Sequence, residues 1–504
     1  MSSMPNQPSS NAWEYCLVTK LYLPRLLPLA LACVAVAGTL LGCGGGSSAN
    51  APANLVTPQA SALPNLCAQP NGANETQGSV EDEKAWVRSF VDERYLWYKD
   101  VPVLDPKDYA SAELFFEDLK TPAKNKAGGD LDRFHWSETK EAYEQYTNGI
   151  AIDYGIDWSR IVKDPPRNVI IYNVEPKSPA GTAGVLRGDK LIKVDGIDVI
   201  KATDVTPIYN GTFPQDNSPH TFELLRGTTT LSVTLKAGLY DRTPVREAKV
   251  FTDNGRRVAY LYFDSFVAKS QDALIAEFKS FSDQNATELV LDIRYNSGGL
   301  LYISSQLAYM IAGQTTSSGK IFNKLVYNDK RTRENYTYGF IPYPLNASYK
   351  YDTSRPLPSL NLSRVILLVD HGTASASEAV INGLRGIGVT VNLIGATTYG
   401  KPYGYKPQSN CGRDYYAVEF KGENHQGFSD YDAGFSPTCT VRDDLNFQLG
   451  DVIEPRLAEA LQYLQSGKCT STPVASIRAM GVPEQVPYVI DTKRSRGLMT
   501  PDIK

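Results

Sequence analysis

Within the stretch 364–401, RVILLVDHGTASASEAVINGLRGIGVTVNLIGATTYGK, two side chains suit acyl transfer: Ser375 in a turn of small residues and Lys401 between Gly400 and Pro402. A serine becomes a nucleophile when it is exposed, held at a turn, next to a base and close to amides that can stabilise an oxyanion. The sequence around Ser375 answers the first two demands, since an apolar run ends just before it and an amphipathic helix starts just after it. Ala376 is small enough to let a ligand approach its amide. A second strand-to-helix turn, Asn296-Ser297-Gly298-Gly299, has glycines that permit close backbone approach, so its amides are candidates for the other half of an oxyanion hole. The base has few candidates: the chain holds only His135, His220, His371 and His425, and His371 is too close in sequence to swing onto Ser375. A lysine serves as base if burial leaves it neutral, which makes Lys401 the alternative. Against this stands a purely structural reading, in which Ser375 and Glu378 form an S-x-x-E capping box and the serine only caps the helix.

The elements that would position these groups alternate. Strand-like runs at 258–263, 287–293, 365–369 and 389–394 are separated by helical patterns at 270–282, 301–311 and after Ser375 (apolar at Ala379, Val380 and Leu384), which predicts an α/β core over 241–465 closed by a helix at 455–464. The stretch 324–359 reads as an irregular excursion, 411–439 as a second insertion, and 466–504 as a solvated tail. Upstream, 80–98 places Trp86, Phe90, Val91 and Tyr95 along one helical face, expected to be core, and 111–119 is a further short helix; together they predict a small N-terminal helical domain over 80–148. Residues 149–240 are rich in short strands, with Ser178-Pro179 opening a short helix, Gly184 ending it and Asp195-Gly196 turning a hairpin.

Composition narrows the function classes. With 504 residues, 42% apolar and 21% charged, the chain is a multidomain globular protein, and a net charge of -4 offers no basic face for nucleic acid. Lys20 and Arg25, an apolar segment 26–41 and then Gly42-Cys43 have the layout of a secretory signal over 1–42, followed by a Ser/Ala/Pro/Gly-rich tether over 43–79. Of the seven cysteines, Cys67, Cys411, Cys439 and Cys469 belong to the exported body, and an even number there predicts two disulfides. Sequence allows three connectivities; the expectation is Cys411 with Cys439, closing one insertion, and Cys67 with Cys469, tying the ends of the body. No CxxC or paired histidines suggest zinc, so neither metal nor cofactor is expected.

Three resemblances extend this reading. Leu40-Leu41-Gly42-Cys43 resembles a bacterial lipoprotein box, which implies cleavage before Cys43, lipid on its sulfur and a place on the periplasmic side of the envelope, at the outer membrane. The strings around Tyr154-Gly155-Ile156, SPAGTAG and GDKLIKVDG resemble a PDZ domain, which implies that amides near Tyr154, Gly155 and Ile156 receive a peptide's C-terminal carboxylate. LVLDIRYNSGG, VDHGTASASEAV and GATTYGK, in that order behind the PDZ-like unit, resemble the carboxyl-terminal processing (tail-specific) serine peptidases over 149–464. That likeness implies a crotonase-like spiral ββα core, Ser375 as nucleophile, Lys401 as base, amides of Ala376 and of Gly298 or Gly299 as oxyanion hole, and Glu378 in support. Thr373 and Pro402 depart from the family's usual residues. The expected function is an endopeptidase that cleaves exported proteins near free C-termini, with an adaptor protein as a further partner. A catalytically silent PDZ scaffold and a lysine-independent hydrolase of small esters are the other readings.

Overall fold

The apolar runs at the heart of the sequence are neighbouring strands of one sheet. In the computed structural model, described over residues 64–470 apart from 160, 162, 215–217 and 349, and for the backbone of 498–499, the order is Val245–Asp253, Arg256–Phe263, Glu288–Asp292, Arg364–Val369, Thr390–Gly395, Cys439–Thr440. The expected signal segment, Cys43 and much of the tether and tail lie outside the described residues. From Arg256–Phe263 onward the strands are parallel, and Val245–Asp253 pairs antiparallel at the edge. Successive residues of a strand point to opposite faces, so a strand covered on both sides must be apolar throughout. Leu289, Leu291, Val365, Leu367 and Leu393 pack against the helices Ser270–Asp283, Leu301–Ser317 and Ala376–Gly386, while Val290, Ile366, Leu368 and Ile394 pack against Pro455–Ser466. Parallel pairing brings the C-terminal ends of the strands to one edge. There the turns after Asp292, Val369 and Gly395 converge.

The stretch expected as an irregular excursion is partly regular: Ile321–Tyr327 and Tyr336–Gly339 form a hairpin in a second sheet that continues through Phe420–Glu423 and Tyr403–Tyr405. Nor is the tail wholly unpaired, because Leu498–Met499 runs parallel to Tyr403–Tyr405. The pairings of Ile321–Tyr327 with Phe420–Glu423 and of Tyr403–Tyr405 with Leu498–Met499 join segments far apart in sequence, where periodicity gives no signal.

The helix Val80–Arg94 is capped by Ser79, whose side chain and that of Asp82 exchange bonds with each other's amides. Its aromatic face is core, as expected. That core, however, is shared: Trp86, Phe90, Val91, Tyr95, Phe115 and Phe116 cluster with Tyr403, Tyr415, Ala417 and Val418. The strand Trp136–Thr139 also pairs with Arg413–Tyr416. The PDZ-like unit forms a sheet in the order Thr229–Lys236, Pro219–Arg226, Lys190–Val194, Val169–Val174, Ile156–Trp158, with the Asp195-Gly196 hairpin turn at φ 50° and 81°. Its start and finish are zipped together by Ile150–Asp153 against Gly238–Asp241.

The disulfides differ from the expected pairing. They join Cys67 to Cys411 (Cα–Cα 5.4 Å) and Cys439 to Cys469 (Cα–Cα 5.6 Å). Cys411 turns the hairpin between Gln408–Asn410 and Arg413–Tyr416, whose second strand lies against Trp136–Thr139, so the hairpin pairs with the N-terminal domain rather than with its own insertion. Cys439 lies on the edge strand beside Ile394, and the chain leaving the closing helix brings Cys469 to it. A non-reducing digest should therefore yield peptides linked 67–411 and 439–469. Removal of the first bridge by Cys67→Ala with Cys411→Ala should lower stability by about 2–4 kcal/mol in denaturant unfolding; linked 411–439 peptides would contradict the pairing.

Candidate active site

Ser375 lies between the strand Arg364–Val369 and the helix Ala376–Gly386, at φ 58° and ψ -113°. A non-glycine residue there carries strain of about 1–3 kcal/mol, which the surroundings must hold in place. They do so with bonds to the neighbouring turn: the Ala374 amide (3.1 Å) and Ser377 Oγ (2.9 Å) donate to the Asn296 carbonyl, and Thr373 Oγ1 donates to the Ile293 carbonyl (2.9 Å). The two turns singled out from sequence are thus stitched together. The arrangement of the capping box is present, but its two bonds differ in quality. Glu378 accepts from the Ser375 amide at 3.0 Å, but Ser375 Oγ, though placed on the capping side toward the amide of Glu378, has no hydrogen-bond partner among the described residues. Ser375 Oγ therefore faces the helix N-terminus as a cap does without closing a good hydrogen bond.

Glu378 does more than the capping box would ask. Its Oε2 accepts from the amides of both Ser375 (3.0 Å) and Lys401 (2.8 Å), and its Oε1 accepts from the Gly400 amide (2.7 Å) and Thr398 Oγ1 (2.6 Å). One oxygen shared by two amides keeps the backbones of Ser375 and Lys401 within two hydrogen-bond lengths of each other. Burial pushes this carboxyl above its ordinary range, and the bonds from Thr398 and the amides of Lys401, Gly400 and Ser375 pull it back. Tyr399 adds an amide bond of 2.9 Å to the Thr373 carbonyl.

Lys401 is fully buried. Its Nζ lies 4.6 Å from the centre of the Phe134 ring and 4.7 Å from that of Tyr405. Burial lowers its pKa to about 7, with Arg133 assisting and Asp132 and Glu378 opposing. A lysine in this condition is partly neutral at neutral pH and able to accept a proton.

The glycine turn fits closely. Gly298 has φ 105°, and a Cβ there would lie 2.8 Å from Ser375 Cβ and 3.0 Å from the Ala376 nitrogen, so only glycine allows this approach. The Gly298 amide itself donates to Asn296 Oδ1 at 2.9 Å. Its expected role as an oxyanion donor is therefore already taken in this state, because Asn296 uses that bond to brace the turn. Gly299, at φ 135°, backs onto the Phe266 carbonyl, which a Cβ would approach to 2.4 Å. Ala376 opens its helix directly in front of Gly298.

Two further expectations change, those for Ser375 and for the PDZ-like unit. Ser375 is not exposed but completely buried, since the Asn296–Gly299 turn and the 398–401 loop close over it. His371 is exposed and bonds through its own amide to Asp370 Oδ1 (2.8 Å), the local role anticipated. In the PDZ-like unit, Tyr154 is buried and the Gly155 amide donates to Asp153 Oδ1 (2.6 Å), so this amide is not open to a carboxylate as the unit stands. Sequence reasoning missed Arg294, whose guanidinium bonds Asp292 (2.9 Å), Glu454 (2.9 Å) and Asp443 (2.9 Å) beneath the glycine turn. It also missed Arg187 of the PDZ-like unit, which reaches the same Asp443 at 2.6 Å. Their signal was a charge inside an apolar run, visible at Asp292 and Arg294. Thr398 and the segment 132–135 had no signal linking them to Lys401, and Glu378 had only the family likeness.

The serine turn and the buried lysine thus follow neighbouring strands of an α/β core that lies behind a PDZ-like unit. Family models match the chain as Peptidase family S41 over 257–410, Peptidase S41 N-terminal domain over 82–137 and PDZ domain over 148–237. The matched stretches give the chain an S41 peptidase core and an S41 N-terminal domain with a PDZ domain between them. It is 28% identical over 238 residues to a carboxyl-terminal-processing protease of Picosynechococcus, covering 45% of this chain and 49% of that protein. It is also 28% identical over 232 residues to the chloroplastic carboxyl-terminal-processing peptidase 1 of Arabidopsis thaliana, covering 44% of this chain and 42% of that one. The chain thus spans about half the length of these relatives. In fold it resembles a Bacteroides fragilis protein assigned to the S41 proteases, with a TM-score of 0.61 at 24% identity over 79% of this chain and 100% of the other.

Glu378→Ala should leave several buried donors unpaired and cost roughly 3 kcal/mol or more in denaturant unfolding. Glu378→Gln should also destabilise, because its NH₂ meets donors where an acceptor is needed. Wild-type stability in both variants would show that the four bonds are not a clamp.

Proposed function

We propose that the chain is a serine endopeptidase in which Ser375 and Lys401 act as a dyad on proteins or peptides with free C-termini. The observation that carries this reading is the shared Glu378 oxygen, which ties the backbone amide of Ser375 to that of Lys401, a lysine whose pKa burial has lowered to about 7. Neutral Lys401 takes the proton from Ser375 Oγ as Oγ attacks the scissile carbonyl. The oxyanion forms against the Ala376 amide at the positive end of its helix, with the Gly299 amide as the second donor. The lysine ammonium then protonates the departing amine, and a water, deprotonated by Lys401, hydrolyses the acyl-enzyme. The PDZ domain holds the substrate's C-terminal segment as an added strand. For a substrate to reach Ser375 its cover must open, and the Asp153 bond to Gly155 must yield to the incoming carboxylate.

Cleavage of an unfolded protein should fall by about a thousandfold or more in Ser375→Ala and in Lys401→Ala. In the wild type, kcat/KM should rise through a single ionisation near pH 7 and fall about tenfold per pH unit below it, since the base works only when neutral. Full activity in either variant, or a rate flat from pH 5 to 9, would overturn the dyad. A silent scaffold would show no cleavage in the wild type, and a small-ester hydrolase would retain its rate without Lys401.

The same proposal places the protein on the periplasmic side of the envelope, anchored to the outer membrane by lipid on Cys43; the two disulfides suit an oxidising compartment. Incorporation of a palmitate analogue should be lost in Cys43→Ala; a labelled Cys43→Ala protein would contradict it.

A further inference from the structure

The segment 132–135, at the end of the stretch matched as the N-terminal domain, lies across the loop that carries Lys401. It is braced from behind. Asp132 accepts from the Phe134 amide (2.9 Å) and from Tyr95 Oη (2.6 Å), and Tyr95 Oη in turn accepts from the Thr121 amide (3.1 Å). Downstream the segment runs into Trp136–Thr139, which pairs with Arg413–Tyr416, and Trp136 stacks on Tyr416 at 4.4 Å. The Cys67–Cys411 bridge ties the tip of the same hairpin to the segment that leads into the helix Val80–Arg94.

Two side chains of this strap touch the lysine's surroundings. Arg133 donates to the carbonyls of Tyr399 (2.6 Å) and Gly400 (3.4 Å), the two residues before Lys401, and its guanidinium stacks over the Tyr399 ring at 4.6 Å. Phe134, buried, sets its ring 4.6 Å from Lys401 Nζ. We infer that the 132–135 strap is a working part of the catalytic base, with Arg133 and Phe134 as positioning residues that keep the Lys401 ammonium site dry and its loop in register with Ser375. This rests on the dyad proposed above and adds to it a role for the N-terminal domain.

The charges around Lys401 come from several elements. Asp132 and Arg133 face it from the strap and Glu378 from the helix Ala376–Gly386. Tyr403 and Tyr405 lie on the following strand, with the charges of Asp432, Arg133 and Asp132 acting on Tyr403 and that of Glu378 on the buried Tyr431. His135 has its Nδ1 3.4 Å from Asp132 Oδ2 and its ring 3.9 Å from that of Phe116, so it faces the lysine's surroundings through that carboxylate. Phe134 acts on the lysine in two opposed ways. Its π-face favours the cation by roughly one pKa unit, whereas exclusion of water disfavours it by up to about three to five units, so loss of the ring should raise the lysine's pKa on balance. Loss of the Arg133 charge works in the same direction.

The test is the pH profile of kcat and kcat/KM for Phe134→Ala, Phe134→Leu, Arg133→Gln and Arg133→Lys. In Phe134→Ala the acid limb should move up by about one pH unit or more, giving at least a tenfold loss at pH 7 that is regained to within about threefold at pH 9, with KM little changed. Phe134→Leu, which restores an apolar cover, should bring the limb back toward the wild type. Arg133→Gln should move the limb up and also lower the alkaline plateau of kcat. Arg133→Lys should correct the limb but not the plateau, because the charge returns without the paired carbonyl contacts. A uniform loss with an unmoved limb in Phe134→Ala would reduce the ring to a packing role and overturn the inference. Should Phe134→Ala not fold, the half-buried Arg133→Gln decides, and an unmoved limb there overturns it equally. An unmoved limb in an enzyme that still requires Lys401 sinks the strap alone, whereas full activity of Lys401→Ala sinks the dyad beneath it.

Discussion

A carboxylate buried at the N-terminus of a helix is costly unless every lone pair is used, and Glu378 spends its lone pairs on two loops at once. Its bonds to Ser375, Thr398, Gly400 and Lys401 join the end of the strand Arg364–Val369 to the end of Thr390–Gly395. These strands are already neighbours, paired from Arg364 with Thr390 to Val369 with Gly395. The sheet sets the spacing of the two loops to within a few ångströms, and the carboxylate sets their register. A nucleophile and a base must meet within hydrogen-bond reach, and misplacement by an ångström is expensive, so the second adjustment matters as much as the first.

Around this clamp the protein maintains two unfavourable arrangements. Ser375 is held at a positive φ with its hydroxyl unbonded, and Lys401 is held away from water with its ammonium destabilised. Each would relax if its neighbours allowed it. Bonds from Thr373, Ala374 and Ser377 to the Ile293 and Asn296 carbonyls prevent the first, and the aromatic enclosure by Phe134 and Tyr405 prevents the second. Beneath the glycine turn, Arg294 is fully buried among Asp292, Asp443 and Glu454, an ionic cluster whose value is geometric more than energetic. Arg187 connects the PDZ domain to the same cluster through Asp443.

What the sequence disclosed and withheld follows from the range of the interactions. The buried strands, the helices at 80–94 and 270–283, the hairpin at Asp195-Gly196 and the small-residue turn at Ser375 were legible because each depends on a local period or a local dihedral demand. Glu378 was visible only as the partner of a capping box, since Ser375 is three residues away while Gly400 and Lys401 are more than twenty. The disulfide pairing was misread for the same reason: Cys411 and Cys439 flank one insertion, yet strand pairing of Arg413–Tyr416 with Trp136–Thr139 turns Cys411 toward Cys67. The burial of Ser375 and the taking of the Gly298 and Gly155 amides by Asn296 and Asp153 are properties of a closed arrangement, which a motif does not encode. Phe134 and Arg133 belong to another domain altogether, and nothing in their spacing connects them with Lys401.

The central claim is that Ser375 becomes nucleophilic because a neutral Lys401 is held beside it. It is tested most directly by covalent labelling with a serine-reactive fluorophosphonate, with the adduct mapped by mass spectrometry across pH 5 to 9 in the wild type and in Lys401→Ala. The account predicts an adduct on Ser375 whose rate of formation follows one ionisation near pH 7 and is lost in Lys401→Ala. An adduct on another residue, or labelling of Ser375 at the same rate with and without Lys401, would contradict it.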